Sequence, residues 1–188
     1  MIRRSLCLSL LIVLWAIAPS ALAAGKAKKT EKVNTYSNKE FGFSFQYPAT
    51  WTVSPSSAPN LRVRVVAPDK APPAECSVIV KQYPNAANAK QSDIDQIFSE
   101  QPTVQELEDI LNQGGSEIKV TQASAGALHV RPAHVARFRY TSGTTHLSGE
   151  VLMTATPGLT WSLTCSGQGD NAAAAERTFS LGRKGSAP

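Results

Sequence analysis

Three consecutive segments in the C-terminal part of this chain alternate apolar and polar residues with a period of two. They cover Ala133–Tyr140, Thr145–Thr156 and Leu159–Cys165, and the turn signals Ser142-Gly143 and Pro157-Gly158 separate them. A period of two places successive side chains on opposite faces of a strand, and short glycine turns join antiparallel neighbours. The pattern therefore predicts an antiparallel meander, which is the strongest constraint on the fold.

The two faces of these strands differ in polarity. The apolar faces carry Ala136, Phe138 and Tyr140, then Leu147, Val151 and Met153, then Leu159, Trp161, Leu163 and Cys165. The opposite faces carry Arg137 and Arg139, then His146, Ser148 and Glu150, then Thr160, Ser162 and Thr164. We further predict strands at Glu117–Gln122 and Leu128–Val130, with a turn at Ala125-Gly126 between them.

Shorter strands are predicted in the N-terminal half. Phe43, Phe45 and Tyr47 alternate with polar residues after a turn at Asn38–Gly42, and Pro48 ends that strand because proline cannot donate a backbone hydrogen bond. Further strands are indicated at Trp51 to Val53, at Leu61 to Ala67, and at the segment in which Cys76, Val78 and Val80 share one face. The two predicted sets of strands give an α+β domain once the intervening helices are included.

Helical periodicity begins at Ser92, and Pro102 divides the stretch into two helices. Thr103 and Glu106 have the spacing of a capping box, and Gly114-Gly115 predicts the end of the second helix.

A last helix is expected over Asn171 to Ser180. It would bury Ala174 or Ala175, together with Phe179 and Leu181. The acidic residues Asp93, Asp95, Glu100, Glu106, Glu108 and Asp109 are expected on exposed helical faces.

The first 23 residues have the pattern of a secretory signal peptide. Arg3 and Arg4 precede an apolar stretch from Leu6 to Ile17, and Ala21-Leu22-Ala23 supplies small residues for cleavage between Ala23 and Ala24. An uncleaved anchor is the alternative, although the apolar stretch is shorter than the roughly 20 residues that span a bilayer. A lipoprotein is disfavoured because Cys7 lies at the head of the apolar stretch. We expect a periplasmic or secreted protein.

The expected domain organisation follows from this leader. Residues 24–32 form a flexible basic linker, 33–182 a single domain and 183–188 a disordered tail. Loss of Arg3 and Arg4 lowers the formal net charge from +5 to +3. The lysines between Lys26 and Lys32 allow at most weak contact with a membrane surface, and a solvated tether is the alternative. No nucleic-acid partner is expected, since the basic residues are not interleaved with aromatic ones.

Two cysteines remain after removal of the leader, Cys76 and Cys165. Both lie on apolar strand faces. Thiols of exported proteins are normally oxidised, because the compartments outside the cytoplasm are oxidising. We therefore predict a Cys76–Cys165 disulfide. Its loop of roughly 90 residues corresponds to somewhat over 4 kcal/mol in the loop-entropy description. Two separate buried thiols are the alternative.

The segment from Tyr36 to Val53 resembles the N-terminal signature of the PsbP-like family, in the PsbP/Mog-like superfamily. The likeness rests on Gly42-Phe43-Ser44-Phe45, Tyr47-Pro48 and Trp51, and the later order of elements agrees with it over about Asn34 to Leu181. It implies a central antiparallel β-sheet flanked by helices on both sides, an α/β/α sandwich. It also implies a non-enzymatic docking or assembly module, and it carries no functional residue onto this chain.

No catalytic, cofactor or metal site is predicted from the residues. His129, His134 and His146 lack a ligand spacing, and the last two are expected on opposite sides of the sheet. Glu150 and Asp170 carry no specific signal of a paired acid and base. There is no nucleophile elbow and no phosphate-binding loop.

We therefore predict a monomeric module that binds an unidentified envelope protein. The candidate surfaces are the acidic helical face and the loop from Ser54 to Pro59. A periplasmic protein that binds a small ligand or a metal is the alternative. A deep pocket lined by converging polar groups would favour that alternative.

Overall fold

Seven of the nine described strands form one antiparallel sheet in a computed structural model of the chain. The structure describes residues 32–55, 57–68, 74–113 and 117–169, together with residues 172, 175, 176, 178 and 179, all within one compact unit, Glu31–Pro188. The predicted leader with its Ala23–Ala24 cleavage point, the linker up to residue 31, Gly114-Gly115 and the tail 183–188 lie outside the described residues.

The elements occur in the order β1 Val33–Asn38, β2 Phe43–Pro48, β3 Thr52–Val53, β4 Leu61–Val66, β5 Glu75–Gln82, a 3-10 turn Pro84–Ala86, α1 Gln91–Ser99, α2 Val104–Asn112, β6 Lys119–Leu128, β7 Arg131–Ser142, β8 Thr145–Thr156 and β9 Leu159–Gly167. The large sheet has the order β3-β4-β5-β9-β8-β7-β6, and β1 and β2 form a separate hairpin. This α+β architecture agrees with the predicted fold class.

The β1–β2 hairpin and the C-terminal segment cover one face of the sheet, called here the hairpin face. Phe43, Phe45 and Tyr47 of β2 are buried there, as their alternation predicted, and the ring of Phe43 meets Trp161 of β9 edge to face at 5.6 Å. The described residues of the C-terminal segment are helical, and Ala175 and Phe179 are buried in the same cluster. Burial of large aromatic side chains is the main stabilising contribution of this layer.

Helices α1 and α2 cover the other face, called here the helix face, over β6, β7 and β8. Leu107 of α2 is fully buried against Val120, Ala136, Phe138 and Val151, which all lie on that face. The capping box at the start of α2 is confirmed, because Glu106 N donates to Thr103 Oγ1 at 3.2 Å and Thr103 N donates to Glu106 Oε2 at 2.8 Å. In the described part of the chain, α1 and α2 pack on β6, β7 and β8 and leave the helix face of β4, β5 and β9 open.

The disulfide joins directly opposed residues of β5 and β9. Cys76 and Cys165 are register partners with Cα atoms 4.0 Å apart, and both are buried on the hairpin face. The predicted pairing is therefore present in the structure. It links two cysteines that are 89 residues apart in the sequence.

One predicted turn is wrong. Ala125 and Gly126 lie inside β6, where they pair with His134 and Ala133 of β7. The strand continues because these pairs complete a regular ladder, and small residues do not by themselves break a strand that has partners on the sheet. The chain instead turns at His129, which has a φ of 53°, and Val130, so the predicted strand Leu128–Val130 does not exist.

Candidate functional site

An open polar groove runs along the hairpin face of β6, β7 and β8, beside the layer formed by the hairpin. We call it the sheet groove. It consists of three depressions of about 320, 580 and 230 Å³ that share lining residues. Arg139 and Ser148 line the first two, and Gln122, Arg137 and Glu150 line the first and third.

The strand register places the polar residues of the sheet groove in rows. Arg137 of β7 lies opposite Glu150 of β8 and Gln122 of β6, and Arg139 lies opposite Ser148 and Lys119. Directly opposed residues project to the same face. A register shift between Val120 and Gln122 leaves Thr121 unpaired, and bulged residues of this kind redirect a side chain at the edge of a sheet.

Arg137 and Glu150 form the ion pair at the centre of the groove. Arg137 Nε donates to Glu150 Oε1 at 2.6 Å, and the carboxylate holds the pKa of the Arg137 guanidinium above its usual value. The side chain of Glu150 is only 13% exposed, whereas that of Arg137 is 55% exposed. The carboxylate of Glu150 is therefore largely buried, while the guanidinium of Arg137 stays largely accessible from the groove.

Arg139 is in a different situation. Among the described residues, the other four arginines each have a partner: Arg62 lies over the ring of Phe41, Arg64 binds Glu75, Arg131 binds Asp95 and Arg137 binds Glu150. Arg139 is exposed and has no such partner in the part of the chain that the structure describes. It faces Lys119 across the strands, a like-charged arrangement that is unfavourable in itself.

The predicted acidic face is largely occupied by internal contacts. Asp95 lies 3.6 Å from Arg131, and Glu106 caps α2. Glu108 accepts hydrogen bonds from Lys119 Nζ at 3.0 Å and from Val120 N at 2.9 Å. These two contacts lower the pKa of Glu108, and the hydrogen bonds from Thr103 lower that of Glu106. Asp95 and Glu108 therefore hold the helices on the sheet, and Glu106 stabilises the start of α2.

The second predicted surface, the loop from Ser54 to Pro59, borders a separate groove on the open helix face. Ala58 and Pro59 line it together with Leu61 and Ile79, and its volume is about 510 Å³. Its floor contains the ion pair of Arg64 and Glu75, in which Arg64 Nε donates to Glu75 Oε2 at 2.9 Å. Fewer polar groups converge here than in the sheet groove.

The three histidines are separate in the structure. His134 Nε2 lies 3.2 Å from the carbonyl oxygen of Ile97 on the helix face, His146 Nδ1 lies 3.1 Å from Thr141 Oγ1, and His129 occupies the β6–β7 turn. The expected placement of His134 and His146 on opposite sides of the sheet is confirmed by the register. In the described part of the chain no group of three His, Cys, Asp or Glu side chains is arranged to hold a metal ion.

The sequence indicated which residues face away from the core but did not reveal the sheet groove. Arg137, Arg139, Ser148 and Glu150 were all placed on the polar faces of their strands. The facing pattern Arg-x-Arg on β7 and Ser-x-Glu on β8 is the signal that could have identified them as one site. The suggested partner of Glu150, Asp170, lies outside the described residues, and Glu150 pairs with Arg137 instead.

Comparison with known proteins gives a result only at the level of structure. No family model matches the chain, and no curated protein has a significantly similar sequence. The solution structure of cyanobacterial PsbP (CyanoP) from Synechocystis superposes with a TM-score of 0.56 at 16% identity, covering 91% of this chain and all of that one. LpqN, which is involved in cell envelope biogenesis of Mycobacterium tuberculosis, superposes with a TM-score of 0.60 at 12% identity, covering 85% and 92% of the two chains.

These similarities show that the domain has the PsbP-like fold, as the resemblance of the N-terminal segment predicted. At 12–16% identity they concern the fold alone. The structure contains a buried disulfide, and disulfides persist in the oxidising compartments that exported proteins reach. None of the described helices combines the length and apolar character required to cross a bilayer.

Proposed function

We propose that this protein is an exported, non-enzymatic interaction module of the bacterial envelope, which holds an extended segment of another envelope protein in the sheet groove. The observation that carries this proposal is the shape and chemistry of the groove: three connected depressions that are open to solvent and lined by side chains of both charges. An open, elongated groove suits a polypeptide segment better than a single small molecule, which is usually enclosed on most of its surface.

The spacing of the groove residues supports a peptide occupant. Arg137 and Arg139 are two residues apart on β7 and therefore repeat at about 6.8 Å, the same repeat as alternate side chains of an extended peptide. The cationic Arg137 and Arg139 and the anionic Glu150 and Glu176 all line the first depression. A segment with acidic residues at alternate positions complements the two arginines, and its backbone can bond the hydroxyl and amide side chains of β6.

The cellular location is part of the same proposal. A cleaved leader would deliver the chain to the periplasm, where the Cys76–Cys165 disulfide forms readily. The structural neighbour LpqN is involved in envelope biogenesis, which makes an envelope role for this chain a reasonable expectation. The sheet groove offers an ion pair of Arg137 and Glu150 among hydroxyl and amide groups, and such groups can recognise a peptide by hydrogen bonds and charge.

Site-specific photo-crosslinking in the native envelope tests this proposal. A crosslinker at Gln122, on the floor of the groove, is expected to capture one protein through one peptide region, and a crosslinker at Lys81, on the opposite face, is not. The purified partner should then bind the protein, and Gln122→Trp should weaken binding at least tenfold while Lys81→Trp does not. Equal capture from both positions, or binding unaffected by Gln122→Trp, would refute the proposal. Enclosure of a small molecule instead would support the rival ligand-binding function.

A further inference from the structure

We infer that the segment held in the sheet groove carries a basic residue between two acidic ones, and that Glu176 selects this pattern. The inference rests on the proposed function and specifies the charge sequence of the occupant. It follows from the distribution of charge in the first depression, the one of about 320 Å³, which is lined by Arg137, Arg139, Glu150 and Glu176.

The helical C-terminal segment forms a wall of this depression. Ala172 and Glu176 both line it, and residues four positions apart lie on the same face of a helix. Ala175 and Phe179 are buried in the core cluster of the hairpin face, so the segment is anchored through another of its faces. Glu176 is exposed and therefore presents its carboxylate from a wall that the core holds in place.

The charges of the first depression are only partly compensated within the protein. Arg137 is bound to Glu150, with 2.6 Å between Nε and Oε1. Glu150 is also the main cause of the raised pKa of Arg137, to which the charge of Glu176 contributes less. Neither Glu176 nor Arg139 forms an ion pair with any residue that the structure describes. One base on the floor and one acid on the wall therefore remain for an occupant.

An extended segment can meet both of these charges at once. Two acidic side chains at alternate positions point to the floor, at the spacing of Arg137 and Arg139 along β7. The side chain between them points away from the floor, and a lysine or arginine is long enough to turn its charge toward Glu176 on the wall. A third acid at that position would meet the carboxylate of Glu176 instead. The groove therefore favours a base there and disfavours an acid.

The test measures the binding of three synthetic peptides to the purified protein by calorimetry at low ionic strength, where exposed charges are least screened. Each is a blocked peptide of nine residues with glutamate at its fourth and sixth positions, and the fifth is lysine, alanine or glutamate. The lysine peptide is expected to bind about fivefold more tightly than the glutamate peptide, which is the scale of an exposed ion pair, with alanine between them.

A charge reversal on the wall shows whether Glu176 causes the preference. Glu176→Lys should reverse the order of the lysine and glutamate peptides. Glu40→Lys, in the turn between β1 and β2, changes the net charge by the same amount away from the groove and should keep the wild-type order. This cycle of protein and peptide changes isolates the interaction at one position from the general effect of charge.

The outcomes separate this inference from the proposed function. Equal binding of the three peptides to the wild type, weakened by Gln122→Trp, would overturn the inference and leave a peptide-binding groove. A preference for lysine that persists in Glu176→Lys would overturn it as well, because the selection would then lie elsewhere. Absence of binding by all three peptides also overturns it, and the proposed function is then decided by the crosslinking at Gln122 alone.

Discussion

The side-chain amide of Asn112 makes both hydrogen bonds that a neighbouring strand would offer to the backbone of Ile118. Asn112 Nδ2 donates to Ile118 O at 2.9 Å, and Ile118 N donates to Asn112 Oδ1 at 2.7 Å. Gln101 repeats this arrangement farther along β6, where its Nε2 donates to Ala123 O at 3.0 Å and its Oε1 accepts from Ala125 N at 3.2 Å. Because β6 is the last strand of the sheet, these side chains occupy an edge that could otherwise pair with another chain.

Removal of both amides is expected to make the protein self-associate. The double variant Gln101→Ala/Asn112→Ala leaves backbone donors and acceptors of β6 open, and an exposed long edge strand favours pairing between molecules. Sedimentation velocity over a concentration series should show a monomer for the wild type and concentration-dependent oligomers for the variant. Gln105→Ala is the control, since Gln105 bonds to Asp109 on the exposed surface of α2 and does not touch the edge of β6 in the described part of the chain. A monomeric double variant at all concentrations would show that the edge is protected by other means.

Replacement of Gly149 by alanine is expected to destabilise the domain severely. A Cβ atom at Gly149 would lie 2.2 Å from the carbonyl oxygen of Cys165 and 2.9 Å from Phe138, so the strands β8 and β9 would have to separate. Overpacking of this kind costs about 1–3 kcal/mol, and displacement of backbone places the cost at the upper end. Urea unfolding should show the loss directly.

Gly143 provides the matched control for that substitution. It has a φ of 61° in the β7–β8 turn, and no atom of the described residues beyond its two flanking residues lies within 4 Å of the position of its Cβ. Gly143→Ala therefore suffers only the backbone penalty, about 1 kcal/mol. Equal losses in the two variants would contradict the packing explanation for Gly149.

Local patterns predicted much of this fold because their physical cause lies within a few residues. The alternation in β7, β8 and β9 assigned Phe138, Val151 and Trp161 to buried faces, and Thr103 with Glu106 capped α2 as expected. The wrong turn at Ala125-Gly126 has a different origin. Those residues are held in β6 by pairing with β7 and by the amide of Gln101, 24 residues earlier in the sequence, which no local pattern encodes.

The candidate site was harder to predict for the same reason. The polarity of Arg137, Arg139 and Glu150 was evident from the sequence, but a groove is the space left between layers. Its position depends on how far the hairpin and the C-terminal segment extend over the sheet. Sequence periodicity determines which face a residue occupies and gives no information on the area that a neighbouring layer covers.

The Cys76–Cys165 disulfide is expected to make a large contribution to stability and to resist reduction in the folded state. Both cysteines are essentially inaccessible to solvent, so a reductant reaches them mainly after unfolding. The double variant Cys76→Ala/Cys165→Ala should lose about 2–5 kcal/mol in urea unfolding. Native protein treated with dithiothreitol without urea should keep the disulfide by mass spectrometry. Rapid reduction without denaturant would show that the strands β5 and β9 open locally.

Acidification is expected to release α2 from the sheet before the rest of the domain unfolds. The pKa of Glu108 is lowered by the hydrogen bond from Lys119 first and by that from Val120 N second, and the pKa of Glu106 is lowered by its bonds with Thr103, each from an ordinary value of 4.5. A carboxylate whose folded-state pKa is depressed contributes stability above pH 4.5 and loses it as the pH falls through the lower, folded-state value.

An NMR titration of the Val120 amide proton measures this directly, because that proton bonds to Glu108 Oε2. Its midpoint is expected below pH 4.5, and the urea midpoint of the protein should fall over the same interval. Glu108→Gln should remove the titration of Val120 and flatten this part of the stability profile. Glu40→Gln, in the turn between β1 and β2, should leave both unchanged. A Val120 midpoint above pH 4.5 would mean that the carboxylate of Glu108 is not held by these two donors in solution.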